Sequence, residues 1–210
     1  APEEEEETKT SGDLPIKNDV SNVVVKVRND KVIGSGVVID PEGFILTNAH
    51  VVDTAGTVYV RSVDGVETPA TVVDIDQERD VALLQCPYFK GSASIMRGDS
   101  CTLDVGDVVK AVGYPADAPD ESLPKVKQGV ISNLISNGIS TLVQSTVAVS
   151  PGYSGGALVT TDGQFMGLIT SVPGEPVEVP NWNVSGRSYA LSSNDVLGIL
   201  KTFASKKAIE

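Results

Sequence analysis

Ser154 lies in the run from Ser150 to Leu158, with Gly152 two positions before it and Gly155 and Gly156 directly after. A serine hydroxyl is a weak nucleophile. To attack a carbonyl it needs an adjacent base, and it needs backbone N–H groups to hold the oxyanion that forms. Glycines let a backbone turn sharply and approach a substrate closely, although the same run alone also reads as a plain Gly/Ser/Pro turn. The base must come from elsewhere, and the chain holds a single histidine, His50, where the apolar residues Phe44, Ile45 and Leu46 give out. An imidazole used this way needs a buried carboxylate to hold its tautomer and to stabilise the imidazolium. Asp80 directly precedes the apolar run Val81 to Leu84, which would carry it inward, whereas its rivals Asp74 and Asp76 sit at a more polar strand end. Asp80 is the favoured acid.

Gly152, Ser154 and Gly156 also match Gly-x-Ser-x-Gly, the nucleophile elbow of α/β-hydrolases. Chain order opposes that reading, because those enzymes run serine, acid, histidine and His50 lies upstream of Ser154. An elbow must also lead into a helix, while Ala157 to Ile169 reads as a strand, an Asp162-Gly163 turn and a second strand. His50, Asp80, Ser154 is the order of chymotrypsin-like proteases.

The elements that must position these residues are short Val/Ile/Leu-rich runs beginning near Val20. Strands are expected over 23–28, 32–39, 44–47, 58–63, 70–75 and 81–85. A second set is expected over 108–113, 126–134, 141–145, 157–160, 165–171 and 188–191. Turn signals separate them, among them Asp40 to Gly43, Asp64-Gly65, Asn137-Gly138 and Asp162-Gly163. About a dozen strands at this spacing suggest an antiparallel barrel or sandwich, and the weakly patterned stretch from Pro87 to Gly106 divides six from six. One helix closes the chain, with Ser192 as N-cap, Asp195 three residues on, and Val196, Leu200 and Phe203 at helical spacing.

At 210 residues and 40% apolar composition, the chain can bury a substantial core. A net charge of −12 argues against nucleic acid as a partner, and no apolar run is long enough to span a bilayer. With one histidine and two cysteines, neither a metal nor another cofactor is expected. A bridge between Cys86 and Cys101 would be worth about 3 kcal/mol, and two free thiols are an equal alternative. Residues 1–19 open with Ala1 and Pro2, and five consecutive glutamates follow. That composition cannot offset its ordering entropy and predicts a disordered linker left by processing of a longer precursor.

Taken together, Gly34 to Val52, Asp80 to Leu84, Val105 to Pro115, Gln128 to Ser132, Ser150 to Gly156 and Tyr189 to Asn194 resemble consecutive motifs of the HtrA/Deg type of trypsin-like serine protease. The resemblance covers about Val20 to Phe203. It implies an all-β fold of two packed six-stranded antiparallel barrels with a C-terminal helix. The N-terminal barrel (20–107) would carry His50 and Asp80, and the C-terminal barrel plus closing helix (108–210) would carry Ser154. His50 would be the general base, Asp80 its orienting acid and Ser154 the nucleophile, with the N–H groups of Gly152 and Ser154 as oxyanion hole. Thr170 would place a hydroxyl near Asp80, and Thr170, Ser171 and Val172 would line the site where substrate backbone adds as a strand. Ala148 and Val149, at the floor of the specificity pocket, carry no charge, which implies cleavage after small or medium aliphatic residues.

Tyr153 stands where the family has asparagine, a change expected to alter the leaving-group side. Ala157 replaces a common proline, and no PDZ domain is expected after the closing helix. The loops Tyr114 to Lys127 and Val172 to Arg187 are candidate gates over the cleft. Two readings follow from the resemblance. One is a serine endopeptidase of protein quality control or regulated processing, binding polypeptides extended between the barrels. The other is a catalytically silent scaffold that binds extended peptides. The expected location is extracytoplasmic, in the periplasm or cell envelope, with an organelle lumen or the cytoplasm as alternatives. A homo-oligomer is compatible with the sequence but receives no support from it.

Overall fold

A computed structural model describes residues 19–52, 56–119, 123–171 and 188–207. The expected linker, apart from Asp19, lies outside them, as does the loop from Val172 to Arg187. The first six strands are β1 (Val24–Arg28), β2 (Ile33–Val38), β3 (Phe44–Thr47), β4 (Val58–Arg61), β5 (Glu67–Asp76) and β6 (Val81–Gln85). They close into a barrel in the order β1-β2-β3-β6-β5-β4. Val24, Val25 and Val27 of β1 and Ala82 and Leu84 of β6 are fully buried, as β-branched and apolar residues on a pleated core surface should be. A four-residue helix, α1 (Ala49–Val52), follows β3 without having been expected.

β7 (Met96–Arg97) is a second addition, a two-residue strand inside the weakly patterned connection from Pro87 to Gly106. It is too short to show alternation, and it pairs in parallel with β12 (Gln164–Ser171). The remaining strands are β8 (Val108–Gly113), β9 (Lys125–Ser136), β10 (Thr141–Ser145), β11 (Ala157–Thr160) and β13 (Ser188–Ser192). They run β11-β8-β9-β10-β13-β12, and pairing of β11 with β12 closes a second six-stranded barrel, with β7 outside the ring.

Strands of this second barrel are apolar on both faces, for a reason that period-two geometry supplies. Leu158, Ile169, Val143 and Ala190 point into the barrel's own core. Their neighbours Ala157, Val159, Leu168, Leu142, Tyr189 and Leu191 join the core shared with the first barrel and the closing helix. That helix, α2 (Ser193–Lys207), starts as expected. Ser192 Oγ accepts from the Asp195 N–H at 3.2 Å and donates to its carboxylate at 2.5 Å. Val196, Ile199 and Phe203 are buried on one face, each worth roughly 1.5–3 kcal/mol by transfer.

Candidate active site

β3 ends at Thr47, and its register with β6 pairs Thr47 with Ala82. Carried two residues further, that antiparallel register sets Asp80 alongside Ala49 and His50. β5 and β6 are joined by the turn after Asp76, where the Arg79 guanidinium pairs with the Asp76 carboxylate. Asp76 is thereby occupied on the rim. Asp80 follows at φ 56°, the one non-glycine residue with positive φ among those described. A left-handed aspartate is uncommon, and Asn48 stabilises it here: its buried Nδ2 donates to the Asp80 carbonyl at 2.8 Å.

This conformation turns the Asp80 carboxylate onto α1. Oδ1 accepts the His50 main-chain N–H at 3.0 Å, and Oδ2 lies 2.8 Å from His50 Nδ1. Thr170 Oγ1 donates to the same Oδ2 at 2.9 Å from the second barrel. The Asp80 side chain is 8% exposed, whereas 37% of the His50 side chain is open to solvent. An imidazole held at Nδ1 by a carboxylate carries its proton there and leaves Nε2 as the basic atom.

Ser154, 5% exposed, lies in the turn before β11. Gly155 N–H donates to Ile169 O at 2.8 Å and Ile169 N–H to Gly156 O at 2.9 Å, next to Thr170 and its bond to Asp80. On the other side Ser35 N–H donates to Ser154 O at 2.8 Å, and Thr47, three residues before His50, donates its hydroxyl to Ser35 O at 2.7 Å. Two short chains of hydrogen bonds thus tie the serine turn to the His50–Asp80 pair.

Within the turn, every carbonyl from residue 151 to 154 is engaged. Pro151 O accepts from Ala116 N–H at 2.8 Å, Gly152 O from Ser35 Oγ at 2.7 Å, Tyr153 O from Gly156 N–H at 2.8 Å, and Ser154 O from Ser35 N–H. Tyr153 N–H donates to Ser150 O at 3.2 Å. Among the described residues, the N–H groups of Gly152 and Ser154 donate no hydrogen bond. Gly152 has φ 98°, and a Cβ there would run into Tyr114 O and Ala116 N, so both conformation and space demand glycine.

Tyr153, which stands where the family has asparagine, is fully buried in the core of the second barrel. Its hydroxyl donates to Lys125 O at 3.3 Å. Burial pushes its phenol up to about 12, helped by the Asp117 charge. Tyr114 is likewise pushed up to about 12 by burial, against a smaller opposing effect of the Arg61 charge. Of the expected substrate residues, Ala148 is exposed, Val149 is 7% exposed, Thr170 is buried against Asp80, and Ser171 ends β12. Val172 lies outside the described residues. Ser35 and Asn48 had not been singled out. The glycines on either side of Ser35 were the one signal for it, and nothing in the sequence signals which carbonyl Asn48 reaches.

Residues 34–168 match the family model for the trypsin-like peptidase domain. Periplasmic serine endoprotease DegP of Salmonella typhimurium is 35% identical over 170 residues, covering 78% of this chain and 34% of that protein. Serine protease Do-like HtrA of Bacillus subtilis is 33% identical over 189 residues, 84% of this chain and 40% of that one. This chain therefore spans well under half the length of either relative. Among solved structures, the HtrA-type protease AlgW with a tripeptide superposes with TM-score 0.74 at 30% identity, over 87% of this chain and 60% of its own. A serine endoprotease from Yersinia pestis gives 0.73 at 30% identity, over 88% and 63%.

Proposed function

Because this chain belongs to the trypsin-like peptidase family, in its HtrA/Deg branch, we propose that it is a serine endopeptidase working through His50, Asp80 and Ser154. His50 Nε2 takes the Ser154 hydroxyl proton as Oγ attacks the scissile carbonyl. Asp80 keeps the Nδ1 proton in place and stabilises the imidazolium. The oxyanion of the tetrahedral intermediate is received by the Gly152 and Ser154 N–H groups. His50 then returns its proton to the leaving amine, and water releases the acyl group from Ser154 by the same route in reverse.

The observation carrying this reading is the pattern of the turn itself. Its carbonyls are all occupied, and the two N–H groups without an acceptor are those of the serine and of the glycine two residues before it. Fixed donors at that spacing suit a developing oxyanion. A polypeptide substrate lies extended in the cleft, its backbone beside Thr170 and Ser171 at the end of β12. AlgW has been solved with a tripeptide, which supports that substrate class. Uncharged Ala148 and Val149 give the specificity pocket a preference for small or medium aliphatic side chains. Periplasmic relatives such as DegP support an extracytoplasmic location, and the role assigned there is protein quality control or regulated processing.

A fluorophosphonate probe tests the proposal. Wild-type protein should be labelled and Ser154→Ala should not. Wild type that stays unlabelled with and without candidate activating peptides would favour the peptide-binding scaffold instead, and a peptide library cleaved after basic residues would overturn the assigned specificity.

A further inference from the structure

Ser35 belongs to β2 of the first barrel and is fully buried, yet its polar atoms serve the turn around Ser154 in the second. Its Oγ lies 2.7 Å from Gly152 O and 2.8 Å from the Tyr114 main-chain nitrogen. An amide N–H can only donate, so the hydroxyl accepts from Tyr114 and commits its single proton to Gly152 O. Its own N–H donates to Ser154 O at 2.8 Å, and its carbonyl accepts from Thr47 Oγ1 at 2.7 Å.

A trans peptide unit holds its N–H opposite its C=O. Drawing Gly152 O toward Ser35 therefore turns Tyr153 N–H the other way, onto Ser150 O. Drawing Ser154 O toward Ser35 turns Gly155 N–H onto Ile169 O. The peptide planes on both sides of the Tyr153–Ser154 unit are thus clamped, one by the Ser35 hydroxyl and one by its main chain.

Resting on the reading of Ser154 as nucleophile, we infer that Ser35 is a positioning residue for the oxyanion hole, holding the Gly152–Ser154 turn in the orientation that presents its two N–H groups. It also ties that turn to Tyr114, where the chain leaves β8 for the loop to β9. Without the hydroxyl, Gly152 O and Tyr114 N–H are both left buried and unpaired. The Gly152–Tyr153 plane is then the part free to rotate, because glycine tolerates the new dihedrals.

The test compares wild type, Ser35→Ala and Ser35→Cys by steady-state hydrolysis of a peptide substrate over a range of pH, alongside thermal melting. Ser35→Ala should lower kcat about ten- to a hundredfold, below the loss for deleting an oxyanion donor outright. KM should stay within about twofold, as for an interaction made in the transition state. The pH profile of kcat/KM should keep its midpoint, since the His50–Asp80 contacts are untouched. Ser35→Cys keeps the bulk with weaker hydrogen bonding and should fall between. An unchanged kcat, a displaced pH midpoint, or failure of both variants to fold would each overturn the assignment. Wild type that neither turns over nor labels would sink the nucleophile reading and this inference with it, a result visible without any Ser35 variant.

Discussion

The Asp80 carboxylate grips His50 at two points, Oδ1 on the main-chain N–H at 3.0 Å and Oδ2 on ring Nδ1 at 2.8 Å. A carboxylate anchored to both backbone and ring of one residue sets the ring's position as well as its tautomer. The left-handed backbone at Asp80 is what aims both oxygens the same way, and the bond from Asn48 holds it there.

Asp80→Asn should preserve the fold and nearly abolish turnover. The amide can present its NH2 to Nδ1, which favours the wrong imidazole tautomer, and a loss of about ten-thousandfold in kcat is expected by analogy with other serine proteases. Steady-state kinetics beside a thermal melt would check it, and a loss below tenfold would argue that Asp80 is not the orienting acid.

Gly152→Ala should cost about a hundred- to a thousandfold in kcat. Both the φ of 98° and the collision of a Cβ with Tyr114 O and Ala116 N force the turn to move. Ser154 should then label more slowly with a fluorophosphonate, because phosphonylation draws on the same two N–H groups. Labelling at the wild-type rate would refute the oxyanion assignment.

Stability should fall as pH rises from about 10 toward 12. Tyr114 and Tyr153 keep their protons to about 12 in the folded protein, whereas a phenol in the unfolded chain ionises near 10. Between those values the unfolded state binds fewer protons, so each unit of pH lowers the free energy of unfolding. The stabilisation is therefore complete below pH about 10 and is lost through 12. Denaturant melts at increasing alkaline pH would show the decline, and Tyr153→Phe should make it shallower. A decline equally steep in that variant would contradict the burial effect.

The two cysteines should behave differently toward a thiol reagent. Both are free, Cys86 buried and Cys101 exposed, which resolves the alternatives open in the sequence against a bridge. Cys101 should react in the native protein and Cys86 only on unfolding. Equal reactivity of both in buffer would contradict the packing of Cys86 against Thr68.

Much of the barrel was legible because a strand's identity is a local property. Runs such as Val81 to Leu84 and Phe44 to Thr47 announce themselves through β-branched and apolar residues, and the turns through Asn137-Gly138 and Asp162-Gly163. β7 escaped because two residues carry no period, and α1 because four residues are too few to show a helical one. The burial of Tyr153 was not legible, for a different reason. Its side chain points into the second barrel's core, a direction set by the turn that Gly152 and Gly155 allow.

The amino-acid sequence by itself determined the twelve barrel strands, the closing helix with its Ser192 cap, and which serine, histidine and aspartate types were available for acyl chemistry, because residue type and short-range period act over a few positions. Only the tertiary structure decided that Asp80 turns left-handed onto His50, that Thr170 joins them from the other barrel, and that Ser35 clamps the Ser154 turn. Those contacts join residues far apart in the chain, and several of them end on backbone atoms, where every residue offers the same carbonyl and, proline aside, the same N–H. Which of them meet is settled by strand register and barrel closure, and neither is written in any one stretch of residues.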